Sequence, residues 1–243
     1  MNVLGMFAKY PEAGRVKTRL AEKLGAEGAT GIYRAFLSDL TRRLCECAVH
    51  RVLCYTPAQD ASRQYFETLA GRDYELWSQP EGDLGRRMLS FFSDYLHAGN
   101  RVVLIGSDSP TVPINVLDQA FSALNHVDCV LGPATDGGYY LIGLRALCGA
   151  LFSGVEWSGA HVFSQTIERV RTSGLSLELL QPWYDVDTWN DLLFLDGHRR
   201  AMAYTETDGP TWEIDKWLDQ WNLGTSSRFP GDTALPYGES DGN

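Results

Sequence analysis

The chain has 243 residues, 44% of them hydrophobic, enough to bury one substantial core as a single large domain. Thirty-one acidic against 21 basic side chains give a formal charge of −10. That balance argues against a nucleic-acid backbone or an anionic membrane as the main partner, because both demand clustered Lys and Arg. The five cysteines, Cys45, Cys47, Cys54, Cys129 and Cys148, form no Cys-x-x-Cys pair. They read as reduced core thiols of a cytoplasmic protein rather than zinc ligands or a disulfide frame. No apolar run approaches membrane-spanning length, and Val3 to Phe7 lacks the charged lead-in and cleavage site of a signal peptide.

Asn2 to Ala8 reads as a first buried strand, which Lys9 to Gly14 breaks through Pro11 and Gly14. Arg15, Lys17 and Arg19 then alternate, so an acidic protein carries three cations directly after that strand. A Gly-containing loop with positive side chains and a helix N-terminus is a phosphate-binding arrangement, here running from Ala8 and Lys9 through Gly14 to Arg19. It matches neither the P-loop nor the dinucleotide signature. A solvated helix start is the plain alternative, yet cations there oppose the helix dipole, which points to an expected anion. Ile32, Phe36, Leu37, Leu40 and Leu44 recur at helical spacing and predict a long amphipathic helix over 26–47. A strand follows at Arg51–Tyr55, a helix at Ala61–Leu69 and a short strand at Tyr74–Trp77. The polar loop Gln79 to Gly85, with Gly82 and Asp83, then leads into a helix over 86–97. This loop either presents backbone groups to a base or is a turn capped by Asp83.

Val102 to Ile105 is too short for a helix and too continuous for a half-exposed strand, so it predicts a strand buried on both faces in a parallel sheet. Gly106-Ser107-Asp108-Ser109-Pro110 follows at once, placing the Asp108 carboxylate just past the carboxyl end of a central strand, where open α/β sheets bind ligands. Helix capping is the bland role for Asp108, but Thr111 is the nearer cap for the helix predicted over 114–124. A strand over 128–132 leads to Asp136-Gly137-Gly138, where glycines let the backbone approach a ligand beside a carboxylate; Asp-Gly is equally hairpin chemistry joining that strand to one at 139–143. Glu156-Trp157-Ser158 is expected to open a helix reaching Arg171, with Trp157 either an aromatic platform for a sugar or acceptor, or core. The last strand is expected at 176–180. Asp185 and Asp187 alternate in the extended segment after it, and Thr188 can cap a helix reaching about Met202. With Asp108 they offer hard oxygen ligands for magnesium or manganese; the alternative is acidic residues at a helix start. A final amphipathic helix is expected over 211–221. The aromatic residues Trp183, Trp189, Trp212, Trp217 and Trp221 are expected to pack against the sheet, the alternatives being an acceptor cleft or a dimer contact. A surface-tracking or disordered tail is expected over 225–243.

Taken together, Phe7-Ala8-Lys9-Tyr10-Pro11, Gly14 to Leu20, Gly82-Asp83-Leu84-Gly85, Gly106 to Pro110, Asp136 to Tyr140 and Trp157-Ser158 carry a resemblance. The chain resembles the bacterial glycosyltransferase-A-fold proteins known as radical-SAM/selenodomain-associated transferases, described more loosely as nucleotide-diphospho-sugar transferases, over about residues 1 to 200. It is more distantly similar to phospholactate guanylyltransferase and molybdenum-cofactor guanylyltransferase. The resemblance implies that Lys17 and its Arg neighbours hold phosphates, that Asp108 and Asp187 hold the divalent ion, and that Gln79 to Gly85 lie near the base. Unlike many metal-dependent glycosyltransferases, the chain has no Asp-x-Asp after its central strand, so Asp187 is expected to supply the second ligand.

The expected architecture is a three-layer α/β domain over residues 1–224 with a mainly parallel mixed sheet, the basic loop, Asp108 and Asp187 gathering at the carboxyl edge of its strands. The expected function is a Mg2+- or Mn2+-dependent transferase that binds a nucleotide-diphospho-sugar or a nucleoside triphosphate and an unidentified small-molecule acceptor. Lys17, Asp108 and Asp136 are the expected catalytic groups, and Asp136, Gly137, Gly138 and Trp157 the acceptor side. Glycosyl and nucleotidyl transfer both fit, a noncatalytic nucleotide-binding module is the rival class, and oligomeric state stays open.

Overall fold

In the computed structural model, which describes residues 1–47, 49–97, 99–157, 159–205 and 212–221, Val102 to Ile105 are no more than 3% exposed. The strand they form, β4 (Arg101–Ile105), is covered on both faces. Val103 and Ile105 point into one apolar layer with Leu4 and Met6, while Val102 and Leu104 point into the other with Val3. This alternation is the pleat of a strand between two helical layers. Each fully buried Val or Leu contributes roughly 1.5–3 kcal/mol.

β1 (Asn2–Lys9), β2 (His50–Thr56), β3 (Glu75–Ser78), β5 (Cys129–Pro133), β6 (Tyr139–Leu144) and β7 (Leu177–Leu179) complete one sheet of order β3-β2-β1-β4-β6-β5-β7. β1 pairs parallel with β2 and β4, and β2 with β3. β6 alone runs against its neighbours, β4 and β5, while β7 is parallel to β5. The sheet is therefore mainly parallel and mixed, as expected, but β4 has one antiparallel neighbour where a wholly parallel setting was expected. The Asp-Gly turn after β5 accounts for this: a short hairpin returns β6 beside β5 and β4.

The helices are α1 (Thr18–Leu44), α2 (Asp60–Ala70), α3 (Leu84–Tyr95), α4 (Asn115–Ala123), α5 (Val162–Thr172), α6 (Trp189–Thr205) and α7 (Glu213–Trp221). α1 starts eight residues earlier than expected and kinks at Gly25, whose φ of +70° only a glycine adopts readily. α5 starts later than expected, at Val162, because Trp157, Ala160 and His161 lie in turns rather than in a helix. Thr111 is not a helix cap; its hydroxyl donates to Tyr184 Oη at 2.7 Å. Thr188 does cap α6, trading hydrogen bonds with Asp191 as a capping box. Cys47, Cys54 and Cys129 are buried, whereas Cys45 is exposed and so is no core thiol. Trp217 and Trp221 pack on Gly31 and Gly28 of α1 rather than on the sheet. Among the described residues no helix is long and apolar enough to cross a membrane. The tail expected over 225–243 lies outside the described residues.

The edge strand β7 is tied to β5 by one carboxylate. Asp128 accepts from Ser176 Oγ at 2.6 Å, from Ser176 N at 2.9 Å and from Arg145 Nη2 at 2.7 Å. These bonds, those of Ser176 foremost, lower the Asp128 pKa to about 2. A carboxyl depressed on folding contributes stability above its unfolded pKa and loses it as pH falls through the folded value. Asp128→Asn is therefore expected to cost about 1–3 kcal/mol at pH 7. In urea titrations the gap to the native protein should close between about pH 4 and pH 2.

Candidate active site

The chain leaves β1 through α1 toward β2 on one side, and β4 arrives on the other side of β1. A crevice opens outside the carboxyl ends of strands at such a switch point. Three segments meet there: the loop after β1 with Lys17, the loop after β4 with Ser107 and Asp108, and the extended segment before α6 with Asp185 and Asp187. The Val186 N–H donates to the Asp108 carbonyl at 2.8 Å, which sets the third segment against the second.

Lys17 joins all three. Its ammonium donates to Asp108 Oδ1 and, at 2.9 Å, to Asp187 Oδ1. The Lys17 side chain is 3% exposed, against 48% for Asp108 and 40% for Asp187. Burial by itself would lower the lysine pKa, but the two carboxylates outweigh it and the net shift is upward, so Lys17 stays charged. Tyr33 and Phe36 of α1 flank the ammonium, their ring centroids 5.7 and 5.6 Å away. Lys17 also sits at φ +47°, a left-handed conformation that costs a side-chain-bearing residue about 1–2 kcal/mol. Such strain persists where surroundings over-determine it, and the double ion pair does so here. Tyr33 braces the floor: its hydroxyl accepts from Lys9 N at 3.0 Å and lies 2.9 Å from Ser107 Oγ. Burial first, then Asp108, pushes the Tyr33 pKa up to about 12.

The crevice is a pocket of about 330 Å3. Of the expected phosphate, nucleotide and metal residues it gathers Ala8, Lys9, Arg15, Lys17, Gln79, Asp108 and Asp187. Arg15 is exposed at the rim, and Lys9 Nζ reaches its carbonyl at 2.7 Å. Gln79 turns its amide to the backbone, donating to Cys54 O at 2.7 Å. Gly14, at φ +77°, turns the loop toward the pocket without lining it, and Arg19 is exposed on α1 away from it. Gly82, Asp83 and Gly85 do not line it either. Asp83 caps α3 by accepting from Arg86 N at 2.8 Å, and the Trp157 indole covers Gly85 so closely that a Cβ there would meet it at 2.3 Å. Trp157 is thus packing. Asp136 accepts from Gly138 N at 2.8 Å, and Gly137 lies on the Ala160 backbone at φ +94°. These three residues form the hairpin turn and its anchor to α5, outside the pocket.

Two further pocket residues escape a reading of the sequence. Arg87, in the first turn of α3, donates to Gly82 O at 3.0 Å and lines the pocket. It opposes its helix dipole just as Arg15 does, the same signal that singles out Arg15. Tyr33 leaves no such mark. Asp185 takes a hydrogen bond from Ser109 Oγ. Burial first, then Asp108 and Asp136, raise its carboxyl to about 7 against the lowering effect of Ser109.

Asp108 and Asp187 offer two hard oxygen donors, and their Oδ2 atoms take no hydrogen bond from the described residues. No group of three or more His, Cys, Asp or Glu placed to hold a metal occurs among the described residues. Two carboxylates with the remaining positions left to phosphates and water fit magnesium, which seldom uses an all-protein cage. A separate recess of about 270 Å3 contains Asp39, Arg43 and Arg199. These groups hold neighbouring elements: Asp39 caps α7, Arg43 bonds the Val112 carbonyl and Arg199 pairs with Asp215.

The fold is one shared by nucleotidyltransferases and nucleotide-diphospho-sugar transferases. It superposes on a nucleotidyl transferase from Methanothermobacter thermautotrophicus with TM-score 0.57, 13% identity and coverage of 83% of this chain and 99% of that one. A cytidylyltransferase from Leptospira borgpetersenii gives TM-score 0.54 and 13% identity over 91% of this chain and 93% of that one. Much nearer is the putative nucleotide-diphospho-sugar transferase of Desulfovibrio desulfuricans G20, with TM-score 0.81, 35% identity and coverage of 90% of this chain and 95% of its own. The chain belongs to the family of that protein. Residues 40–159 match the profile of a family described as uncharacterized protein conserved in bacteria (DUF2064). No curated protein sequence matches.

Removing both carboxylates strands a buried ammonium. Asp108→Asn with Asp187→Asn is expected to destabilise toward the low end of the about 3–5 kcal/mol typical of breaking a buried pair, since solvent reaches both carboxylates. Adding Lys17→Met should restore most of that loss in urea unfolding.

Proposed function

We propose that the chain is a metal-dependent transferase whose donor, a nucleotide-diphospho-sugar or a nucleoside triphosphate, binds with its phosphates in the pocket at the ends of β1 and β4. The observation that carries this reading is the buried Lys17 ammonium holding Asp108 and Asp187 together where Lys9, Arg15 and Arg87 converge. An acidic protein that gathers cations at its switch point has a phosphate-sized electrostatic well there. The family membership supports the sugar-nucleotide donor, and the fold is compatible with both donors. The narrower kinship with radical-SAM-associated transferases and guanylyltransferases rests on sequence motifs alone, and a cytoplasmic setting rests on the free cysteines.

Asp108 and Asp187 would hold Mg2+ or Mn2+, which when bound supplies positive charge against the developing charge on phosphate oxygens. The chain does the rest. Lys9, Arg15 and Arg87 bind the phosphates and stabilise the departing pyrophosphate or nucleoside diphosphate. Lys17 fixes the two carboxylates relative to each other, so they need no reorganisation when the donor arrives. In nucleotidyl transfer an acceptor phosphate or carboxylate attacks the α-phosphorus. In glycosyl transfer an acceptor hydroxyl attacks the anomeric carbon and a carboxylate takes its proton. Asp185, on the wall of the adjoining cleft, is better placed for that than Asp136 in the hairpin turn.

A thermal-shift panel of ATP, GTP, CTP, UTP, UDP-glucose and GDP-mannose, each with and without magnesium or manganese, tests the reading. Stabilisation by one nucleotide that depends on the metal is expected, and Asp108→Ala or Asp187→Ala should remove the metal dependence. A flat response to every combination would overturn the proposal. Arg87→Ala is expected to weaken the responding nucleotide roughly tenfold, as loss of one charge-assisted hydrogen bond implies.

A further inference from the structure

Beside the cationic pocket, and sharing Phe7, Leu84 and Asp108 with it, lies a second cleft of about 200 Å3. Its character is opposite. The floor is the antiparallel pair β4–β6, where Leu104 and Ile142 face the layer that holds Met88, and its walls include Met88 of α3 and the Tyr139 ring. Its ionisable groups are Asp108 and Asp185 together with the phenols of Tyr139 and Tyr140. No Lys, Arg or His among the described residues lines it. Gly106 opens one side: a Cβ there would approach nothing nearer than Asp108 N at 4.0 Å.

We infer that this cleft is the acceptor site and that it takes a small, neutral or cationic molecule with an apolar body and a single hydroxyl or amine, not a phosphate or a carboxylate. Three observations carry the inference. The cleft meets the donor pocket at Asp108, so a ligand in it reaches the reacting end of the donor. Its walls are hydrocarbon and aromatic, and its volume lies below the roughly 300–1,000 Å3 of sites for drug-sized ligands. Its lining offers an anion no cationic partner among the described residues, whereas Asp108 and Asp185 can accept hydrogen bonds from a hydroxyl or an ammonium. A sugar phosphate would bury its charge there with no partner. The inference rests on the donor reading above for calling the ligand an acceptor. It weighs toward transfer to a hydroxyl or an amine rather than to a phosphate or a carboxylate.

The four methionines, Met1, Met6, Met88 and Met202, give a readout that needs no turnover. Only Met88 lines the cleft. The full chain, labelled with 13C at the methionine methyls, is titrated with benzyl alcohol, benzylamine, benzoate and benzyl phosphate. A chelator is present so that no divalent ion replaces the missing cation. Benzyl alcohol and benzylamine are expected to shift Met88, with benzoate and benzyl phosphate at least about tenfold weaker. Gly106→Leu, which fills the open side, should weaken benzyl alcohol by about tenfold or more. Anionic probes that bind as tightly as neutral ones would overturn the inference, as would a Met88 signal unmoved by all four. The comparison of neutral with anionic probes needs no variant, so it decides even if Gly106→Leu fails to fold. A metal-dependent nucleotide response with a silent Met88 removes this inference alone, whereas no nucleotide response removes the donor reading.

Discussion

A lysine ammonium withdrawn from water and held between two carboxylates is the constraint on which the site depends. Burying a charge is costly unless it is paired and hydrogen-bonded. Lys17 meets that condition only if the loop after β1, the loop after β4 and the segment before α6 arrive at one point. Asp108 and Asp187 are 79 positions apart in the chain, and no local preference would bring them together. The Val186 to Asp108 backbone bond and the Tyr33–Ser107 contact hold the same convergence from either side. The strained backbone at Lys17 fits this picture, since a conformation left-handed for a non-glycine residue needs strong partners to persist.

The sheet then divides the work. On the side of β1 and β2 the crevice is lined by cations and suits phosphates. Over β4 and β6 it is apolar, with carboxylates and phenols but no Lys, Arg or His among the described residues. The reversal of β6 creates the second half: a hairpin after β5 returns an apolar strand beside β4, where a parallel crossover would have delivered another helix. Asp108, at the end of β4, stands on the border of the two halves. A transferase needs this division, with a charged grip on the leaving portion of the donor and a differently shaped seat for the acceptor.

The sequence was most legible where a single residue type has few uses. The apolar run at Val102 to Ile105, cut off by Gly106 and Asp108, announced both the central strand and its carboxylate. The cations after β1 announced the pocket that Lys9, Arg15 and Lys17 line. The same argument applied to Arg87 would have found a further cation, because it too faces the positive end of a helix. Other patterns serve two purposes, and the sequence left both open. Asp136-Gly137-Gly138 looks like a ligand-approach motif, yet its carboxylate and glycines form a hairpin turn pressed against Ala160. Trp157 looks like a platform but fills the space over Gly85. The apolar cleft left no local trace, since its wall residues are spread from Phe7 to Asp185 and each reads as ordinary core.

Lys17, Asp108 and Asp187 are proposed as the centre where metal and donor phosphates meet. Anomalous diffraction from crystals grown with Mn2+ and the nucleotide that stabilises the protein most would test it directly. A manganese peak bonded to Asp108 and Asp187, with the phosphates facing Lys9, Arg15 and Arg87, is expected. Manganese bound elsewhere, or phosphates seated in the recess of Arg43 and Arg199, would contradict it.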